Sequence, residues 1–132
     1  MSSPATPQRD TALARVRDVT GRVLEAGQIV AVSDGSVHRL APVSATRLEG
    51  EMLRQWVVVI DARQTIEIGL GYGISALFIC DGLLSTRAAE LRHVVIDPHQ
   101  AGRFANCGLQ LIDEAGLSEI VEPHPARLSG RA

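Results

Sequence analysis

The chain has 132 residues, of which 45% are hydrophobic, 21% charged and 3% aromatic, with a formal net charge of −2. That length suits one domain, and the hydrophobic share supports a core rather than a disordered segment. All 13 cations are Arg and there is no Lys, which excludes a Walker-type lysine, a Schiff-base lysine and a lysine general base. The near-balanced charge offers no broad basic surface to nucleic acid or to an acidic membrane.

Cys80 and Cys107 lie far apart and form no CxxC, so the expectation is reduced, core-packed thiols and neither a disulfide framework nor a zinc site. The opening MSSPATPQRD has no apolar segment of a secretory signal, and the longest apolar runs fall far short of the ~20 residues of a membrane span. The sequence thus reads as a soluble, cytoplasmic protein with no membrane partner.

Residues 1–11 read as a frayed, disordered tail. Leu13, Val16, Val19 and Val23 then mark a helix over about 11–26, followed by two strands, Ile29–Val32 and Val37–Leu40, around an Asp34-Gly35 turn, with Pro42 stopping the second. Thr46 and Glu49 form a capping box. Behind them Leu53, Trp56, Val57 and Ile60 recur at helical spacing, which predicts a helix with Trp56 in the core. These elements make residues 12–63 an N-terminal helix, hairpin and capping helix.

From about residue 64 the order becomes β-α-β-α-β. The strands are Thr65–Ile68, Arg92–Asp97 and Glu119–Glu122. The helices span Ile74–Leu84 and a stretch lined by Phe104, Cys107, Leu111, Ile112 and Ala115, closed by Gly116. Strands alternating with helices imply a parallel sheet with right-handed crossovers. Ligands of such sheets bind beyond the C-terminal strand ends. There the sequence places Glu67-x-Gly69-x-Gly71-x-Gly73 after the first strand and Asp97 after the second, 28 residues past Gly69. The glycines permit a sharp turn and close approach of a ligand to the main chain; an acid at the second strand end suits ribose hydroxyls.

Two cofactor classes use this geometry. Gly71, Gly73 and Ala76 also satisfy the dinucleotide fingerprint GxGxxA, which leaves a nicotinamide-dependent oxidoreductase as an alternative. A dinucleotide, however, sets an anionic pyrophosphate at the helix N-terminus, where Glu67 would add a like charge in a partly desolvated cleft. A sulfonium cofactor with an ammonium group suits that carboxylate better.

Glu67-Ile-Gly-Leu-Gly-Tyr-Gly73 with Val94-Val-Ile-Asp-Pro-His99 resembles the first two signature segments of class I S-adenosylmethionine-dependent methyltransferases. Ile96-Asp-Pro-His-Gln100 brings it closest to the bacterial O-methyltransferase-like members, and Pro42–Leu53 resembles the helix they place before the first strand. The resemblance spans roughly residues 42–128. It implies a Rossmann-like α/β fold, a parallel sheet with helices on both faces, and S-adenosylmethionine as cofactor. Glu67, Gly69, Gly71 and Gly73 would hold its methionine part, Ser75 would reach its carboxylate, Leu70 and Tyr72 would belong to the same cofactor-binding loop, Asp97 would bind its ribose, and Pro98 and His99 would lie near the adenine. The implied reaction is methyl transfer to an oxygen of a small-molecule acceptor.

Residues 64–132 supply only the first three strands of that fold. The fourth strand, which ends in an acid beside the transferred methyl, has no counterpart, so no catalytic residue is assigned. The expectation is the cofactor-binding half of a methyltransferase, cut by truncation or frameshift, with a non-catalytic binding module as the alternative. The first strand's free edge, with Ile66 and Ile68, then stands open to a second copy. Tyr72 either touches the cofactor or caps the loop. The four histidines show no metal spacing, and the arginines read as a scattered, solvated surface.

Overall fold

The computed structural model describes residues 6–125. Helix α1 (Thr6–Ala26) leads into a short antiparallel hairpin, β1 (Gln28–Val30) and β2 (Val37–Arg39). Helix α2 (Arg47–Val59) follows, and then β3 (Gln64–Ile68), α3 (Ile74–Leu84), β4 (Arg92–Ile96), α4 (Cys107–Glu114) and β5 (Val121–Pro123). The last three strands form one parallel sheet in the order β3-β4-β5, as the alternating pattern predicts. Residues 6–11, expected to be frayed, instead form the first turns of α1. The reason is a tertiary anchor: Arg9 is buried and donates to the carbonyls of Thr86 and Ala88, tying the helix start to the loop after α3.

Paired residues of a parallel ladder point to the same side. Thr65 lies opposite His93, Glu67 opposite Val95 and His93 opposite Val121, so these five side chains share one face. That face is covered: His93, Val95 and Val121 are buried with Ala76, Leu77 and Cys80 of α3 and Leu111 and Ile112 of α4. The other face, with Ile66 69% and Ile68 79% exposed, carries no helix among the described residues. A right-handed crossover repeated in one direction puts every helix on the same side, and the second side fills only where strand order reverses. No reversal occurs between β3 and β5, so the one-sided layer is the outcome of this portion of the fold, and among the described residues the outer edge of β3 is unpaired.

Helix α3 is buried almost all round, as its apolar composition requires of a central helix. On one side α1 packs Val16, Val19 and Val23 into the core and pairs Arg17 with the buried Asp81 through Nε–Oδ2 at 2.9 Å. Arg15 Nε donates to the Glu114 carbonyl at 2.8 Å, closing the last turn of α4. Arg15 and Arg17 thus bridge α1 to α4 and α3 while remaining exposed, as expected of a solvated surface, and Arg9 is the buried exception.

On the other side lies α2. Its capping box is formed: the Thr46 amide donates to Glu49 Oε1 at 2.8 Å and the Glu49 amide to Thr46 Oγ1 at 3.2 Å. Of the predicted stripe only Val57 is buried, however. Trp56 is 63% exposed and Ile60 64%, whereas Gly50 and Val57 are buried. Two glycines rotate the contact. A Cβ on Gly50 would stand 2.2 Å from the Phe78 ring, and one on Gly82 would stand 2.9 Å from Val57 and the Arg54 carbonyl. Backbones this close select the small residues for the interface, and the larger apolar stripe turns outward.

Candidate functional site

The site lies at the C-terminal ends of β3 and β4. The chain leaves β3 at Gly69, whose amide donates to the Ile96 carbonyl at 2.7 Å. It then turns through Gly71 (φ 56°) and Gly73 (φ 88°) into α3. These left-handed conformations are strained for any residue with a Cβ. At Gly73 a Cβ would also stand 3.2 Å from Gly108 at the start of α4, so helix and loop meet backbone to backbone. The first helical bond of α3 runs from the Leu77 amide to the Gly73 carbonyl at 3.0 Å. The amides of Ile74, Ser75 and Ala76 therefore have no helical acceptor, which is the usual condition of a helix N-terminus.

Asp97 ties the two strand ends together. Its Oδ2 accepts from the Gly71 amide at 2.9 Å and from Gln100 Nε2 at 3.1 Å, and its Oδ1 accepts from the His99 amide at 3.0 Å. The neighbourhood of Gly69–Gly73 and Asp97 read from the sequence is thus a direct hydrogen bond. A carboxylate has about four lone-pair positions, so one remains for an incoming hydroxyl. Pro98 and His99 are exposed beside it.

Glu67 is nearly buried, its side chain 13% exposed. Ser75 Oγ donates to Glu67 Oε2, and His93 Nε2 lies 3.1 Å from Oε1. Since Ser75 is the second residue of α3, this carboxylate already lies at the positive end of the helix. The Ser75 hydroxyl spends its one proton on Glu67 and keeps its acceptor lone pairs. Leu70 is buried in the core, so only its backbone faces the site. Tyr72 is held by its neighbours, its hydroxyl 3.2 Å from His38 Nδ1 and its ring edge-on to Phe104 at 5.0 Å.

Sequence reading passed over two residues here. Gln100 is buried and braces the loop, donating to the Gly71 carbonyl at 2.9 Å while its Oε1 accepts from the Leu109 amide at 3.1 Å. Its signal was the Asp-Pro-His-Gln segment itself. His93 is fully buried under Glu67; strand alternation puts it on the face of Val95, but only the register of β3 against β4 brings it to Glu67. Burial, with Glu67 and Asp81 nearby, pushes the Cys80 thiol far above its ordinary range, which removes it as a nucleophile. Among the described residues, no three His, Cys, Asp or Glu side chains gather around a metal-sized space, and no helix is long and apolar enough to cross a membrane.

A parallel sheet with a glycine loop after its first strand and a clamping acid after its second belongs to the Rossmann-like class of cofactor folds. Within that class, this chain's fold is that of a portion of solved methyltransferase structures. The chain is similar to the O-methyltransferase TomG of Streptomyces achromogenes in complex with S-adenosylmethionine (TM-score 0.55, 20% identity, 94% of this chain and 44% of that one). It is similar also to an O-methyltransferase of Bacillus cereus in complex with S-adenosylhomocysteine (0.52, 21%, 86% and 42%) and to a Podospora anserina methyltransferase bound to S-adenosylhomocysteine (0.53, 16%, 94% and 42%). The chain spans less than half the length of each of these three. No family model and no curated protein matches it.

Proposed function

We propose that the chain binds S-adenosylmethionine at the Gly69–Gly73 loop and serves as the cofactor-binding half of a methyltransferase that acts on an oxygen of a small molecule. The observation that carries this reading is the pairing of opposite polarities in one place. The amides at the start of α3, which have no helical acceptor, suit the cofactor's carboxylate, and Glu67, fixed beside them, suits its ammonium. The remaining lone pair of Asp97 suits a ribose hydroxyl, with Pro98 and His99 flanking the adenine and the Tyr72 backbone lining the turn. The bound cofactor supplies an electrophilic methyl on sulfur. The chain's own residues bind and orient it; no side chain here is assigned to deprotonating an acceptor.

A nicotinamide dinucleotide fits the same loop less well. Its pyrophosphate would meet the Glu67 carboxylate at the helix N-terminus with no ammonium of its own to offset the like charges, which are poorly screened in a half-buried site.

Calorimetric titration with S-adenosylhomocysteine and, separately, with NADH tests the proposal. Saturable binding of S-adenosylhomocysteine alone is the expected result. Binding of NADH with none of S-adenosylhomocysteine would overturn it.

A further inference from the structure

Beneath the loop runs a chain of hydrogen bonds that joins four side chains from three elements. Thr65 Oγ1 of β3 lies 2.8 Å from His93 Nδ1 of β4. His93 Nε2 lies 3.1 Å from Glu67 Oε1, and Ser75 Oγ of α3 donates to Glu67 Oε2. His93 is wholly buried, so both ring nitrogens must be satisfied within the protein. An ionised carboxylate only accepts, which makes Nε2 the protonated nitrogen facing Glu67. In the neutral ring Nδ1 is then an acceptor, and the Thr65 hydroxyl fills it by donating.

We infer that His93 is a positioning residue for Glu67: its Nε2–H, with the ring oriented by Thr65, fixes the carboxylate that receives the cofactor's ammonium. This rests on the cofactor reading above for its consequence, though not for its geometry. With one donor on each oxygen, from β4 and from α3, the carboxylate cannot swing about its last torsion without breaking a bond to a buried partner. A lone carboxylate at a strand end would have to be ordered by the ligand at each binding event, which costs affinity. The relay does that ordering in advance, and it couples the orientation of Glu67 to a threonine two residues earlier in the same strand.

The test has one arm that needs no ligand. Long-range proton–nitrogen correlation spectra of the intact chain, uniformly labelled with nitrogen-15, report which His93 ring nitrogen carries hydrogen. A protonated Nε2 is expected, and a ring protonated on Nδ1 alone would overturn the inference whatever the chain binds. The second arm is calorimetric titration with S-adenosylhomocysteine. Thr65→Val keeps the shape of the side chain and removes the hydroxyl, and it should weaken binding about three- to tenfold, the worth of one modest hydrogen bond. Thr65→Ser should restore the affinity, because it returns the hydroxyl while losing a methyl. His93→Gln keeps a donor on the Glu67 side and should bind more tightly than His93→Leu, which has none. If Leu at this position prevents folding, the threonine pair decides. Equal affinity of Thr65→Val and wild type would overturn the inference. If wild type binds no S-adenosylhomocysteine, the cofactor reading fails and the nitrogen spectra still decide the placement of Glu67.

Discussion

Replacing Asp97 by Ala removes the clamp that holds the glycine loop to the end of β4. Three donors lose their acceptor: the amides of Gly71 and His99 and the side chain of Gln100. His99 is exposed, so its amide returns to water at little cost. Gly71 is only partly exposed and Gln100 is buried; a buried donor left without a partner costs about 1–3 kcal/mol. Gln100 keeps its bond to the Gly71 carbonyl, which limits the expected total to about 2–4 kcal/mol. In a domain of this size that lowers Tm by about 10 °C. Asp97→Asn retains one acceptor oxygen and can turn its amide nitrogen toward the exposed His99 side, so its loss should be about 1 kcal/mol. Thermal unfolding followed by circular dichroism measures both variants. An Asp97→Ala melt indistinguishable from wild type, or two variants equally destabilised, would refute the assignment of the clamp.

Gly108→Ala should act on the same loop from α4. A Cβ there would stand 2.5 Å from the Gly71 carbonyl oxygen and 2.8 Å from Leu70, so overpacking of about 1–3 kcal/mol is expected with weakened S-adenosylhomocysteine binding; denaturant unfolding and calorimetry read the two effects. Thr46→Ala should cost about 1 kcal/mol by opening the capping box. Hydrogen bonds from Thr46 hold the Glu49 carboxyl below its ordinary value of 4.5. Its contribution is therefore complete above that value and fades as pH falls through the lowered folded one. Unfolding curves of wild type and a Glu49→Ala variant should accordingly converge in acid, since the Thr46 amide that holds the carboxylate is main chain, and a constant gap would contradict the coupling. The open edge of β3 can pair antiparallel with a second copy about Ile66, setting Gln64 opposite Ile68 and Thr65 opposite Glu67 with no like charges facing. Light scattering should then show self-association that Ile66→Lys abolishes; a wild type that stays monomeric on concentration would contradict it.

The elements legible in the sequence were those whose local signals and tertiary roles agree. The capping box of α2, the span Ile74–Leu84 and the glycine turn after β3 all combine a strong local preference with the packing that surrounds them. The contact of Asp97 with the loop followed from topology alone, because adjacent parallel strands end side by side. What could not be read is what distant glycines decide. Gly50 and Gly82 turn Trp56 to solvent although its spacing marks it for the core. The shift of the third strand to Val121–Pro123 is likewise set by pairing with His93–Val95, not by its own sequence. At the site, the pattern gave Glu67 and Asp97 but not their supports, since a register between strands is needed before His93 meets Glu67. Crossovers repeated in one direction leave the face of Ile66 and Ile68 bare among the described residues, a sidedness that follows from strand order and not from any local signal.

The central claim is that the Glu67 charge recognises a cationic group. Glu67→Gln isolates that charge, because an amide can accept from His93 through oxygen and donate to Ser75 through nitrogen, leaving the surrounding bonds in place. Titration of this variant with S-adenosylhomocysteine is the most direct measurement. An affinity about 10- to 100-fold below wild type is expected, the value of a charge-assisted hydrogen bond, with an unchanged melting temperature. Equal affinities for the two proteins would contradict it.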